Sequence, residues 1–575
     1  MTLKAFTSVV LLSLVTKHVY AQDVPFSPCP LLGPRFPIPT QLSASPIFQS
    51  GLKNLTNAFD DYVANLNGTF GPTSSSTSFS VALFSTDDTN STRPFLYEYH
   101  HTAPSLVNGT SGAVEVDADT VYQIGDLTTL FTTWLFLIEA GEQHWNDPVS
   151  RWVPELREAA HGTTSSISVD WDDVTLGDLA AHLGGIGQYT PSNGTSEIGS
   201  LLDDLMNATI AAPCESTSGS CDRADFLSYF GSRAPVFAAG TTPIFSNAGF
   251  IILAYALESI TRQPYDSILE SSIIRPLNLS RTTYLERSTQ NTTRLAKPSQ
   301  SASLNTIEGP YNGLSSSVHD ISTALRAILA STLLPQSTTR RWLKPVSHTS
   351  NLVNSVGRPW EIYSLTATPI SPVMPIYQVR GNVGLYASHI GLAPDYNTGF
   401  VILAADSEGS PDLNAHADII ATELIPALEQ SAIVEASKAF AGTYVSDSNM
   451  TLVIPQATDS SPGLSVSHFR LGDKDIRAAY AKINDIAPEN LSFRLYPTNA
   501  GGDGSRMAFR ASFQDVTALA DAGTPTCDTW RYIDQFQLHS VSLDEFVFEL
   551  KDGKAITIKV PAFEDTLSKE GNRVM

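Results

Sequence analysis

One stretch restricts the possible fold more than any other. After Asp126 the chain reads LTTLFTTWLFLIEAG, apolar at nearly every position around the helical turn. A helix without a polar face has to be covered on all sides, so it belongs at the centre of a domain. Around it, from about 41 to 425, helical patterns mix with strand patterns such as SFSVALFS and RPFLYEYH. A first helix is expected to begin near Ser50. GFVILAADS reads as a core strand and ADIIATELIPALEQ as a closing helix.

From roughly 440 the texture changes. AGTYVS, MTLVIP, LSVSHFRL, LSFRLYP, RMAFRASF, EFVFEL and AITIKVP are short period-two runs separated by Gly, Pro, Asp and Asn. That pattern predicts an all-β module, a small antiparallel barrel or sandwich. Two domains also suit the length, because 575 residues exceed what one core needs. The expected layout is a leader at 1–21, an extended Pro-rich piece at 22–40, a main domain at 41–430 and a β-rich domain at 440–575.

The leader is read from MTLKAFTSVVLLSLVTKHVYAQ, with a basic start at Lys4, an apolar run to Val15 and small residues before Gln22. That run is too short to span a bilayer of ~20 helical residues, so no membrane span is expected. Ten Asn-x-Ser/Thr sequons agree with secretion: Asn54, Asn67, Asn90, Asn108, Asn193, Asn207, Asn278, Asn291, Asn449 and Asn490. Four Cys suit an oxidising compartment. Cys214 and Cys221 flank ESTSGS and could close that loop, leaving Cys29 for Cys527, one of three possible pairings. Asp and Glu outnumber Lys and Arg by 58 to 35, which argues against a nucleic-acid partner. Nothing in the pattern sets an oligomeric state.

Several fragments, in order over about 380 residues, resemble the β-lactamase-related serine hydrolase family, in particular its secreted fungal branch. They are QIGDLTTLFTTWLFLIEAGEQHWNDPVSRWVPEL, VTLGDLAAHLGGI, TTPIFSNAGFIILAYALESITRQPY, RPLNLSRTTY, NGLSSSVHDIS and RGNVGLYASHIGLAPDYNTGFVILAADS. CDTWRYID and DEFVFEL resemble that branch's additional C-terminal domain. The resemblance implies an α+β fold: an antiparallel sheet flanked by helices, a helical subdomain and a small all-β C-terminal domain. It also implies acyl transfer by a Ser at the head of the buried helix, a Lys one turn later, a Tyr from a Tyr-x-Asn motif and a strand lending backbone N–H groups to the oxyanion.

At those positions this chain carries other atoms. Ser-x-x-Lys falls on Asp126-Leu127-Thr128-Thr129, Tyr-x-Asn on Phe245-Ser246-Asn247, and His-x-Gly on Asn382-Val383-Gly384. The one true Ser-x-x-Lys, Ser50 to Lys53, lies on the first expected helix, where Ser50 reads as a cap. A carboxylate cannot replace the serine in acyl transfer. With a pKa near ~4 it leaves more readily than an alkoxide, and its adduct falls back to substrate. Asp126 therefore has two readings: an N-cap, or a binding or catalytic carboxylate kept ionised by the helix dipole.

The implied pocket residues are Thr129, Phe245, Asn247, Asn382 and Gly384, with Asn247 pointing into the cleft. His182 reads as a loop brace, His389 as facing either core or cleft, and Tyr189 and Tyr386 as cleft packing. No metal spacing, phosphate loop or dinucleotide fingerprint is present, so no metal or cofactor is expected. Two functions follow as expectations. In one, a small molecule of fungal secondary metabolism meets non-hydrolytic chemistry; in the other, an extracellular pseudoenzyme binds a ligand without chemistry. A hydrolase with an unrecognised nucleophile is a third.

Overall fold

The computed structural model describes residues 26, 28–64, 69–70, 74–88, 95–104, 115–161, 167–189, 221–285, 307–365, 373–457, 461–500, 504–518 and 527–571. The leader at 1–21 lies outside them, as do Cys214 and the sequons at Asn67, Asn90, Asn108, Asn193, Asn207 and Asn291. Two compact units emerge. One holds residues 32–367 and 373–439; the other is built on 440–575 and takes in the stretch before residue 32.

The larger unit is organised by an eight-stranded sheet. Its strands are β1 (Thr77–Ser85), β2 (Tyr97–His101), β6 (Ser347–His348), β7 (Asn354–Val356), β8 (Glu361–Leu365), β9 (Met374–Val383), β10 (Tyr386–Ala393) and β11 (Thr398–Asp406). They run β2-β1-β11-β10-β9-β8-β7-β6, and every pairing is antiparallel. A second sheet joins β3 (Tyr122–Gln123), β4 (Thr283–Tyr284) and β5 (Leu314–Ser316) in the order β3-β5-β4.

Five helices of this unit bear on the site. The first, α1 (Pro46–Ala64), starts four residues earlier than its pattern suggests. Proline suits a first helical position because its missing N–H has no partner there. Ser50 therefore lies inside the helix, and Ser45 supplies the cap, its hydroxyl accepting from the Phe48 N–H at 3.3 Å. The apolar stretch forms α2 (Thr128–Glu139), whose residues from Thr128 to Leu137 are all buried. It packs with α3 (Ala248–Thr261) and α4 (Val318–Leu329) in one apolar core. The closing helix α5 (Asn414–Phe440) runs through Pro426. The piece before α1 is clipped to it: Arg35 pairs with Glu429 at 2.5 Å, and the Thr40 N–H donates to Glu435 at 2.8 Å.

In the other unit ten short antiparallel strands between Gly442 and Lys569 form one sheet, and among the described residues one α-helix of eight residues, Ile476–Ile483, lies between them. Its interior is aromatic, with Phe469, Tyr480, Phe493 and Phe546 in mutual ring contact. Cys29 and Cys527 form a disulfide in this unit with Cα atoms 5.2 Å apart. Cys221 is also disulfide-bonded. Asn54, Asn278 and Asn449 are exposed and Asn490 is half-buried. Among the described residues no helix is long and apolar enough to cross a membrane.

Candidate active site

The site is built where α2 begins. A 3-10 turn, Gly125–Leu127, carries Asp126 into α2. Strand β9 lies directly against that turn. A Cβ at Gly381 would run into the Ile124 carbonyl and the Leu127 nitrogen, so glycine is required for the approach. Ser388 on β10 fastens the same turn, its hydroxyl donating to the Ile124 carbonyl at 2.7 Å.

Asp126 is half-buried, and it stands one residue inside the turn and one before the N-cap of α2, those N-cap positions being Ile124 and Leu127. Burial pushes its carboxyl up to about 7. Hydrogen bonding from the backbone at Asn382 and at Asp126 itself pulls the other way, and Glu361 adds a smaller upward push. The ionised carboxylate expected from the dipole is thus corrected. A helix terminus contributes about 0.3–1 kcal/mol, and a rise from 3.8 to about 7 outweighs it at ~1.4 kcal/mol per pKa unit.

Two residues that the sequence patterns did not single out lie beside it. Glu308 precedes the short helix Gly309–Asn312 at its N-cap position, and Tyr311 is buried within it. That segment is held by α2: Thr132 donates to the Pro310 carbonyl at 2.5 Å, and the Thr128 hydroxyl accepts from the Leu314 N–H at 3.3 Å. Burial pushes Glu308 up to about 7 as well. The Tyr311 phenol is raised above its ordinary value, by burial first and then by the charges of Glu308 and Asp126. It is therefore a hydrogen-bond donor rather than a phenolate. Asn247 hydrogen-bonds it.

Asn247 does not point freely into the cleft. Its Oδ1 accepts from the Tyr189 N–H and its Nδ2 donates to the Tyr189 carbonyl, both at 2.8 Å, and Oδ1 also accepts from the Ala248 N–H at 2.9 Å. Thr129 is buried and donates to the Asp126 carbonyl at 2.7 Å, so its hydroxyl is turned back on the helix. Phe245 is 43% exposed and stacks on His182 with centroids 5.0 Å apart. His182 accepts from the Ser246 N–H at 3.2 Å, and burial lowers it to about 4, so it is a neutral brace. The Asn382 side chain accepts from the Ser410 hydroxyl at 3.2 Å. Gly384, at φ +54, makes the tight turn between β9 and β10. Tyr386 is buried on the same face of β10 as Ser388, whereas His389 faces the opposite side. Among the described residues no group of three or more metal-ligating side chains gathers.

The arrangement offers two carboxyls raised to about 7 and a phenol that feels the charge of both. Comparison with known proteins places it in a family. Residues 93–424 match the family described as Beta-lactamase, and residues 432–571 match "Beta-lactamase-like-like, C-terminal domain". A "Beta-lactamase-like protein" of Arthroderma benhamiae is 28% identical over 93% of this chain and 94% of its own length. The "Probable hydrolase clz13" of Cochliobolus lunatus is 26% identical, covering 74% of this chain and 70% of that one. A D-stereospecific amidohydrolase from Streptomyces sp. superposes with a TM-score of 0.48 at 18% identity, over 65% of this chain and 99% of that one. The family match spans more than half of the sequence, and the chain belongs to the β-lactamase family.

Proposed function

We propose that this site acts on a small molecule by proton transfer through Asp126, without an acyl-enzyme. The observation that carries the reading is a carboxyl poised at about 7 at the head of the buried helix, where the family resemblance calls for a serine. General acid–base catalysis works best when the group's pKa lies near the working pH. Tyr311 would donate a hydrogen bond to the reacting oxygen, and Glu308 would supply or receive the second proton. The fungal relatives named as probable hydrolases fit this scheme if the carboxylate activates water directly. A substrate from fungal secondary metabolism fits it equally well through non-hydrolytic chemistry.

A second reading, a binding protein without turnover, draws support from Asn247. Its amide is committed to Tyr189 and Tyr311 rather than offered to a substrate.

The test is intact-mass spectrometry after exposure to a penicillin and to a fluorophosphonate, with turnover of nitrocefin and p-nitrophenyl butyrate followed in parallel. The proposal expects no covalent adduct. Any ester turnover should fall to background in Asp126→Asn. A stoichiometric adduct at a serine would overturn it.

We also read the chain as secreted and glycosylated. The leader pattern, the exposed sequons and the disulfide support this. Expression with its own first 21 residues should deliver to the medium a protein beginning at Gln22 whose mass falls on endoglycosidase treatment. Retention of the leader in the cell would contradict it.

A further inference from the structure

A polar space of about 300 Å³ is bounded by β9, β10 and the loop that leads into α5. Gly381 and Ser388 face the Asp126 turn, so Arg380 and Asn382, the neighbours of Gly381 on β9, face the other way. The register sets His389 opposite Arg380 and Ala387 opposite Asn382 on that same face. Ser410, Asp412 and Asn414 complete the wall. The space adjoins the Asp126 site. The backbone of Asn382 hydrogen-bonds the Asp126 carboxyl while Asn382 also lines the space, and Ser388 belongs to both.

The polar groups around it are open to a ligand: Arg380, Asn382, Ser410, Asp412 and Asn414 are all exposed. Their mutual contacts use only part of their hydrogen-bonding capacity. Arg380 gives Nε and Nη2 to Glu361 Oε2 at 3.0 and 2.6 Å, which leaves Nη1. Asn382 Oδ1 accepts from the Ser410 hydroxyl at 3.2 Å, which leaves Nδ2 as a donor and the Ser410 oxygen as an acceptor. Asp412 Oδ1 accepts from the Asn414 N–H at 2.9 Å, which leaves Oδ2. Donors and acceptors are thus mixed around one concavity. Arg380 and Asp412 also put a charge of each sign on its wall, so a ligand of either charge meets its own sign as well as its opposite. Neighbouring hydroxyls on a ring carry no charge, and each of them both donates and accepts.

We propose that this space is a binding site for a neutral hexose, whose hydroxyls are shared among Arg380, Asn382, Ser410, Asp412 and Asn414. A volume of about 300 Å³ lies at the small end of the range for ligand pockets, as a single sugar ring requires. Sugar binding here does not depend on proton transfer at Asp126, so either can fail without the other.

The experiment is isothermal titration of the full-length protein with the methyl glycosides of D-glucose, D-galactose and D-mannose. Methyl glucuronide, D-glucosamine and glycine serve as an anion, a cation and a zwitterion. Saturable one-site binding of at least one neutral glycoside is expected, with each charged compound at least about tenfold weaker. Asp412→Ala should weaken the glycoside about tenfold. Ser410→Trp, on an exposed loop position, should fill the space and abolish binding while circular dichroism shows the fold retained. Asp126→Asn should bind as wild type does. Absence of saturable binding of all three glycosides to the wild-type protein would overturn the proposal. So would undiminished binding to folded Ser410→Trp, a charged compound binding as tightly as the glycoside, or loss of binding in Asp126→Asn, which would put the sugar at the carboxyl instead.

Discussion

The side-chain amide of Asn247 closes on the backbone of Tyr189 at two points, N–H to Oδ1 and Nδ2 to carbonyl, each at 2.8 Å. This clamp joins the start of α3 to the segment following His182 and leaves Asn247 able to reach Tyr311. Asn247→Asp keeps the acceptor and loses the donor, stranding the buried Tyr189 carbonyl against a carboxylate. A loss of about 1–3 kcal/mol is expected in chemical denaturation. Unchanged stability would mean that the clamp contributes nothing.

Asp126 and Glu308 make stability depend on pH in a definite direction. Both carboxyls sit at about 7 in the folded protein, against ordinary values of 3.8 and 4.5. Between about 4 and 7 the folded state therefore binds more protons than the unfolded one, and stability from these groups falls as pH rises through that window. Asp126→Asn removes one such group. Relative to wild type it should be more stable at pH 8, by about 1–2 kcal/mol after discounting for the solvent that the half-buried group retains, and should gain nothing at pH 4. Thermal melts at the two pH values decide it.

The buried histidines act in the opposite sense. His416 is 2% exposed, neither ring nitrogen has a hydrogen-bond partner among the described residues, and burial lowers it to about 4. It packs against Phe59, Tyr62 and Phe79. The unfolded chain takes up a proton below about 6.5 that the folded state refuses, so stability is lost as pH falls from there towards 4. His416→Phe keeps a ring of similar shape and leaves no nitrogen unsatisfied. It should stabilise the protein by about 1–2 kcal/mol at pH 5 and by less at pH 7.5. An equal effect at both pH values would contradict the titration.

Much of this architecture was readable from the chain because it follows local periodicity. The all-apolar run after Asp126 had to be central, and α2 is buried from Thr128 to Leu137. The period-two runs after 440 became strands because each alternates and ends at a turn residue. The site was only half legible. Glu308 and Tyr311 escaped notice because nothing in their local pattern singles them out. Their segment is held on α2 by Thr128 and Thr132, two hydroxyls far away in the chain, through Leu314 and Pro310. The one cue was a Glu and a Tyr in the small-residue run before NGLSSSVHDIS. The ionisation of Asp126 was misjudged for a similar reason. A helix dipole can be inferred from a pattern, whereas the desolvation that outweighs it depends on β9 packing across the turn at Gly381.

The most direct measurement is an infrared titration of the carboxyl C=O band, taken as the difference between wild type and Asp126→Asn. One protonated carboxyl band belonging to Asp126 should persist above pH 6 and disappear with a midpoint near 7. A difference band already lost by pH 5, as for an ordinary solvated aspartate, would show that burial has not made this group a proton carrier.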